Sequence, residues 1–157
     1  MEIKGRPTIH PWLFYTGKTA GYLTWFISFL SAVHFHQLRL FQSRLTDLFT
    51  VGFVIAGIIF ITLSLFFLGK SVRLGLPTEK TVFKTGGLYQ ISRNPMYIGL
   101  HLLTLASMVY TFHPVVMVMG IFSFVVYHLI ILGEERFLAE RFGEEYRVYQ
   151  LKVRRYI

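Results

Sequence analysis

Residues 84–99 read KTGGLYQISRNPMYIG, a polar and turn-rich stretch that lies between long apolar segments. Its two adjacent glycines permit unusual backbone angles, and Pro95 disfavours a helical conformation at Asn94 while it suits the first turn of a helix. We therefore expect a hydrophobic helix to begin at Pro95. The first turn of such a helix has free N–H groups and a positive dipole, so together with Arg93 it offers half of an anion-binding site.

The composition of the chain indicates a membrane protein. Its 157 residues suffice for one domain, and with 54% hydrophobic residues and a mean hydropathy of +0.52 it is too apolar for an ordinary soluble domain. The net charge of +8 comes from basic residues between apolar blocks, so anionic lipid headgroups explain it better than nucleic acid does. The absence of cysteine excludes disulfide bonds, thiolate metal sites and a cysteine nucleophile.

Long uncharged stretches predict four transmembrane helices. No residue from 94 to 133 carries a formal charge, and about 40 helical residues would extend about 60 Å, roughly twice the thickness of the hydrocarbon core. Pro114 is the strong helix breaker in the middle of this stretch, so two antiparallel spans joined by a tight turn are the simplest solution. The N-terminal segment lacks the features of a removable signal peptide, so we expect the first span to be retained. The predicted spans cover residues 19–38, 48–69, 95–112 and 114–133.

The polar segments outside these spans predict the orientation of the chain. Residues 70–94 form a basic connection that we expect at the membrane surface, and residues 134–153 form an amphipathic interfacial helix. If the chain crosses the membrane four times, all Lys and Arg residues except Arg39 and Arg44 lie on the same side of the membrane. The positive-inside rule therefore predicts cytoplasmic N- and C-termini, in the inner or plasma membrane if the protein is bacterial. The apolar face of the C-terminal helix consists of Leu138, Phe142, Tyr146, Tyr149 and Val153.

Two motifs resemble those of one family of membrane enzymes. The first is G-x-Y-x-x-x-R-x-P-x-Y-x-G from Gly87 to Gly99, and the second is E-E-x-x-L-x-x-x-F-G-x-x-Y-x-x-Y from Glu134 to Tyr149. Together they resemble the isoprenylcysteine carboxyl methyltransferase family, which belongs with the phospholipid methyltransferases. The resemblance covers roughly residues 50–157 and implies an all-α integral membrane enzyme that uses S-adenosylmethionine. One position departs from the family pattern, because the family usually has His where this chain has Asn.

The antiparallel third and fourth spans place Arg93 beside Glu134 and Glu135. Opposed charges next to the free N–H groups of a helix suit the zwitterionic methionine part of S-adenosylmethionine. The alternative is that Arg93 simply pairs with one of the two glutamates. The resemblance favours the cofactor role and implies Arg93, Glu134 and Glu135 as the catalytic candidates. The predicted cofactor-binding residues are Tyr89, Arg93, Asn94, Pro95, Tyr97, Gly99, His101, Glu134 and Glu135.

Aromatic and histidine side chains near these charges have two interpretations each. Tyr89 and Tyr97 offer rings to adenine or to the positively charged sulfonium, or else anchor the chain at the interface. His101 shares a face of the third span with Tyr97, and an ionisable group inside a span is a functional candidate, although a hydrogen bond to a neighbouring helix fits equally well. His34 and His36 point to different helix faces, so we assign no metal site.

These observations predict a membrane methyltransferase with a lipid-like or lipidated acceptor, because the spans are lined by apolar side chains that a water-soluble acceptor would not exploit. An isoprenylcysteine carboxylate and a phospholipid amine both fit. The expected partners are membrane lipids and this acceptor, with no nucleic acid and no assigned oligomeric state. Two alternatives stay open. One is an NADPH-dependent reductase of the sterol type, which the C-terminal architecture also resembles, and the other is a helical membrane subunit without enzymatic activity.

Overall fold

The computed structural model describes residues 7–34, 38–69, 83 and 85–157. Over these residues the regular elements are all helical, which confirms the all-α prediction. The predicted surface connection over residues 70–94 lies for the most part outside the described residues. Five α-helices and a short 3₁₀ turn (Gly87–Gln90) follow one another in the described parts of the chain: α1 (Pro11–Val33), α2 (Arg44–Leu68), α3 (Pro95–Thr111), α4 (Pro114–Phe142) and α5 (Glu144–Lys152).

Two helices, α2 and α4, are long and apolar enough to cross a membrane by length and composition. The outer surface of α2 supports this assignment, since Leu48 is 67% exposed, Ile55 is 54% exposed and Phe66 is 78% exposed. A soluble monomer rarely leaves so continuous an apolar surface in water. We therefore describe the chain as membrane-associated, and the arrangement with four spans stays a prediction.

The first two helices begin earlier than the predicted spans. α1 starts at Pro11 and includes Lys18, because proline suits the first helical turn and lysine is a good helix former that does not end a helix. α2 starts at Arg44 because Ser43 and Thr46 form a capping box in which each side chain accepts a hydrogen bond from the other residue's backbone N–H. The spans are predicted to start at residues 19 and 48 because the uncharged stretches start there. The helices themselves start earlier, since a charged residue does not end a helix.

The tight turn between α3 and α4 lies where the sequence predicts it. α3 ends at Thr111, and Phe112 adopts a left-handed conformation with φ 49°. The imidazole Nδ1 of His113 accepts a hydrogen bond from the backbone N–H of Val115 at 3.3 Å, and Pro114 occupies the first turn of α4. The two helices consequently run antiparallel, which brings the beginning of α3 close to the end of α4.

The predicted end of the fourth span at residue 133 is not a helix end. α4 continues without interruption through both glutamates to Phe142, because glutamate favours helix and no breaker occurs before Gly143. Gly143 has φ 52°, and α5 begins directly after it. The predicted helix over residues 134–153 is therefore divided between the last turns of α4 and the short α5. Its predicted apolar face is preserved, since one cluster contains Leu138, Phe142, Tyr146, Tyr149 and Val153, together with Phe83.

Close contacts attach α1 to α4 and α2 to α3. A Cβ atom on Gly17 would lie 2.2 Å from Cγ1 of Val126, so α1 approaches α4 more closely than a larger residue would allow. A Cβ atom on Gly99 of α3 would lie 2.8 Å from the carbonyl oxygen of Gly57 of α2. The principal core cluster lies between α1, α3 and α4. Its buried members are Phe14, Tyr97, Val126, Tyr127, Ile130 and Ile131.

Candidate functional site

Arg93 and Glu135 form a buried ion pair at the end of the helical bundle where α3 begins. The guanidinium Nε lies 3.0 Å from Oε1 of Glu135, and Nη2 lies 3.2 Å from Oε2, so the pair is bidentate. The two side chains are only 10% and 6% exposed. The predicted proximity of Arg93 to the paired glutamates is thus confirmed. The direct Arg–Glu pairing that the sequence left open as an alternative is what the structure contains.

The remaining nitrogen of the Arg93 guanidinium is also occupied. Nη1 donates hydrogen bonds to the carbonyl oxygens of Gln150, at 3.2 Å, and Val153, at 2.7 Å. These carbonyls belong to the last turn of α5 and the residue after it, where a helix has acceptors without partners. Arg93 therefore connects the start of α3 to the end of α5 as well as to α4.

Glu135 receives hydrogen bonds from three side chains. Besides Arg93, the amide nitrogen of Asn94 donates to Oε1 at 3.0 Å, and Arg155 donates to Oε2 from Nε at 3.0 Å and from Nη2 at 2.9 Å. Two guanidinium groups favour the ionised form of this carboxyl group, and its hydrogen bonds in turn raise the pKa of Arg155. Both carboxylate oxygens are engaged within the protein, so Glu135 acts as a junction between α3, α4 and the C-terminal segment 153–157.

The backbone of this C-terminal segment pairs with the residues before α3. Ser92 and Arg154 form a parallel β-bridge, and the N–H of Arg93 donates to the carbonyl oxygen of Arg154 at 2.9 Å. The carbonyl oxygen of Arg155 accepts from the hydroxyl of Ser92 and from the side-chain amide of Asn94, each at 3.2 Å. Asn94 thereby links the carboxylate of Glu135 to the C-terminal segment.

Glu134 has different surroundings from Glu135, because neighbouring helical residues point about 100° apart around the axis. Its Oε1 accepts a hydrogen bond of 2.7 Å from the hydroxyl of Tyr97, and its other oxygen has no hydrogen-bond partner among the described residues. Lys18 of α1 attracts the Glu134 carboxylate electrostatically. Glu134 is therefore the glutamate that has an oxygen available for a ligand.

Tyr89, in the 3₁₀ turn, is attached to two other elements. Its carbonyl oxygen accepts a hydrogen bond of 2.5 Å from the hydroxyl of Tyr149 in α5, and its phenol lies beside Ser64 near the end of α2. Burial raises the pKa of Tyr149 to about 12, so this hydroxyl keeps its proton and remains a donor. Tyr89 therefore lies next to the polar network, and its part in cofactor binding stays a prediction.

The other predicted site residues are divided between packing and polar positions. Pro95 is buried at the first turn of α3, where it suits the start of the helix. Gly99 faces α2, where the absence of a side chain allows close contact between the two helices. His101 has a buried Nδ1 without a hydrogen-bond partner in the described part of the chain. Its ring lies edge-on to Phe124, with 4.9 Å between ring centroids, and near Tyr127. Of these residues, His101 alone offers a free polar atom.

Several residues of this region were absent from the predicted set. Arg155 and Ser92 complete the network around Glu135, Tyr156 has its hydroxyl 2.7 Å from Nδ1 of His128, and Lys18 lies near Glu134. The position of Lys18 was a signal in the sequence, since it is a single charge directly before an uncharged stretch. The arginine and tyrosine of the C-terminal segment gave no comparable signal, because their contacts depend on how that segment folds back.

The chain matches a known protein family. A family model described as phospholipid methyltransferase matches residues 45–145, which is more than half of the chain. The matched residues run from the first turn of α2 to the first turn of α5 and include Arg93, Glu134 and Glu135, whereas Lys18 and the C-terminal segment lie outside them. No curated protein gives a significant match to the chain. Among the described residues, no group of His, Cys, Asp and Glu side chains is arranged to hold a metal ion.

Proposed function

Because the chain belongs to the phospholipid methyltransferase family, we propose that it transfers a methyl group from S-adenosylmethionine to an amphiphilic acceptor at the membrane surface. The observation that carries this proposal is the meeting of the two family-matched motifs in one polar site. There the Arg93–Glu135 pair, whose hydrogen-bonding groups are used within the protein, lies next to Glu134. One carboxylate oxygen of Glu134 is available to bind a ligand. Such an arrangement combines a rigid scaffold with an acidic group for a cationic ligand.

The chemistry of the available groups fits S-adenosylmethionine. The free oxygen of Glu134 suits the α-ammonium group, and the hydroxyl of Tyr97 holds that carboxylate at 2.7 Å. The rings of Tyr89 and Tyr97 suit the sulfonium or adenine, because a cation favours an aromatic face. When bound, this cofactor supplies an electrophilic methyl group, and the protein must align the acceptor and exclude water.

Arg93, Asn94 and Glu135 take a positioning role in this proposal. Their hydrogen bonds connect α3, α4 and the C-terminal segment, so they determine where Glu134 and Tyr97 lie relative to each other. A buried carboxylate that two guanidinium groups neutralise is unsuited to accept a proton from a substrate. We therefore assign any proton transfer that an amine acceptor requires to groups other than Glu135.

The acceptor proposed for this enzyme has a polar end and a long apolar chain. The outer surfaces of α2 and α4 carry exposed apolar side chains along the bundle. Phe66 of α2 lies near the polar end, where the neighbouring Phe67 contacts Gly87, whereas Ile55, Val118 and Ile121 lie farther from it. An apolar chain that leaves water contributes about 0.8 kcal/mol per buried CH₂ group. Both an isoprenylcysteine carboxylate and a phospholipid amine have this form. The carboxylate needs no base, whereas the amine must lose a proton.

A binding experiment on purified protein in lipid nanodiscs tests the enzyme class. We expect the wild type to bind S-adenosylmethionine and not NADPH, and to transfer a labelled methyl group to an amphiphilic acceptor. Glu134→Gln should weaken cofactor binding, whereas Glu140→Gln, an exposed position on the same helix, should not.

Two results would contradict the proposal. Binding of NADPH without S-adenosylmethionine would favour a reductase of the sterol type. Binding of neither ligand by folded protein would favour a membrane subunit in which the Arg93–Glu135 pair has a structural role only.

A further inference from the structure

Lys18 is held beside α4 by the packing of α1. Its Nζ lies 4.0 Å from the centroid of the Phe14 ring, and Phe14 is a buried member of the principal core cluster. One residue before Lys18, Gly17 brings the two helices into close contact at Val126. The lysine is half-buried, and its ammonium group lies over an aromatic face rather than in open solvent. The local packing therefore determines the position of this charge.

The ammonium group of Lys18 has no hydrogen-bond acceptor among the described residues. Glu134 attracts it electrostatically, but no direct hydrogen bond joins the two side chains. A half-buried ammonium group that lacks an acceptor carries a desolvation cost that an anionic ligand would offset. Phe14, over which the ammonium group lies, shares the principal core cluster with Tyr97, whose hydroxyl donates to Glu134 at 2.7 Å. Lys18 and Glu134 are thus opposite charges beside the same cluster, and each retains capacity for a further partner.

Arg93 does not compete with Lys18 for an anionic ligand. Its guanidinium is used by Glu135 and by the carbonyl oxygens of Gln150 and Val153. Within this region, Lys18 is the cation that has neither a carboxylate nor a carbonyl partner in the described structure. A ligand with an anionic and a cationic group on one carbon atom would satisfy Lys18 and Glu134 together.

We propose that Lys18 and Glu134 form a site for the α-amino acid end of S-adenosylmethionine, with Lys18 at the carboxylate and Glu134 at the ammonium group. This inference rests on the proposed function and adds a residue of α1, which lies outside the family-matched residues 45–145. It gives α1 a direct part in cofactor binding. It also gives a role to a lysine that lies next to the close contact between α1 and α4.

The test compares S-adenosylmethionine with its decarboxylated form, which keeps the sulfonium and the amine but lacks the carboxylate. Affinities are measured by calorimetry on full-length protein in nanodiscs. Lys18→Gln should weaken S-adenosylmethionine binding about tenfold or more, because a charge-assisted hydrogen bond is lost. The same substitution should leave the affinity for the decarboxylated form unchanged. Lys18→Arg should retain most of the affinity for S-adenosylmethionine.

Arg147→Gln is the matched control, since it removes one positive charge at an exposed position of α5. It should change neither affinity. If Lys18→Gln lowered the affinity for both ligands equally, the inference would be overturned and Lys18 would be a packing residue. Unchanged affinity for both ligands would also overturn the inference. Either result leaves the proposed function intact if the wild type binds S-adenosylmethionine. A wild-type protein that binds neither form would overturn the proposed function together with this inference.

Discussion

Arg93 and Glu135, which are separated by 42 positions in the sequence, form a bidentate pair that joins the start of α3 to the end of α4. The pair is buried and is completed by Asn94 and Arg155, so charge is neutralised and hydrogen bonds are satisfied at the same place. A buried charge of this kind is tolerated only with such partners. Hydrogen bonds within the protein therefore hold this end of the bundle together.

Glu135→Gln should destabilise the protein strongly. The substitution leaves the guanidinium groups of Arg93 and Arg155 without their shared carboxylate, and removal of one partner of a buried ion pair costs about 3–5 kcal/mol. Thermal unfolding in detergent should therefore show a clearly lower midpoint for this variant.

Glu140→Gln is the control for this prediction, because it makes the same chemical change on an exposed face of α4. Equal midpoints for the two variants would show that the carboxylate of Glu135 contributes little to the folded state. Both variants lose one negative charge from α4, so the difference between their unfolding midpoints reports the buried contacts of Glu135 alone.

Gly99→Ala should loosen the contact between α2 and α3. A Cβ atom at this position would lie 2.8 Å from the backbone oxygen of Gly57 and 2.6 Å from the Ile61 side chain, and backbone cannot move aside as a flexible side chain can. Overpacking of this kind costs about 1–3 kcal/mol. Gly52→Ala on α2 is the matched control, because nothing lies within 4 Å of its added Cβ atom, and it should be neutral or stabilising. Thermal unfolding of both variants checks the difference, and an unaffected Gly99→Ala would mean that the helices adjust easily.

The contact between the two motifs follows from features that the sequence shows directly. A long stretch without charge that has a proline in its middle, at residue 114, has a simple solution, which is an antiparallel hairpin. Once Arg93 lies at one end of that hairpin and the two glutamates at the other, their proximity follows from helix length alone. Prediction succeeded here because it depended only on chain length and on a helix breaker.

The division of roles between Glu134 and Glu135 depends on information that the sequence does not contain. Which of two neighbouring glutamates faces Arg93 is determined by the rotation of α4 about its axis, and that rotation depends on packing against α1 at Gly17 and Val126. The contribution of Arg155 depends on how the chain folds back after α5. The continuation of α4 to Phe142 was missed because a charge limits an apolar stretch and does not limit a helix.

The orientation of the chain is open to a direct test. The concentration of Lys and Arg predicts that residue 157 and the short loop over residues 39–43 lie on opposite sides of the membrane, with residue 157 in the cytoplasm. Reporter fusions at the two positions should give opposite signals, and a fusion at residue 1 should match the one at 157. The same signal at 157 and in the loop would contradict the arrangement with four spans.

The last prediction concerns the apolar chain of the acceptor. The polar site lies at one end of the bundle, and the exposed surfaces that α2 and α4 present along the bundle are rich in Ile, Val, Leu and Phe. An acceptor whose apolar chain contacts these helices is held with its polar end at the site, whereas the same polar group without the chain must bind from water without that contribution of about 0.8 kcal/mol per CH₂ group. We therefore expect labelled methyl transfer in nanodiscs to be at least tenfold faster, at equal low concentration, for an acceptor with a long apolar chain than for its truncated form. The cofactor affinity, measured in parallel, should be the same in both assays. Equal turnover of the two acceptors would show that recognition is confined to the polar end, and would remove the reason for assigning the apolar helix surfaces to the acceptor.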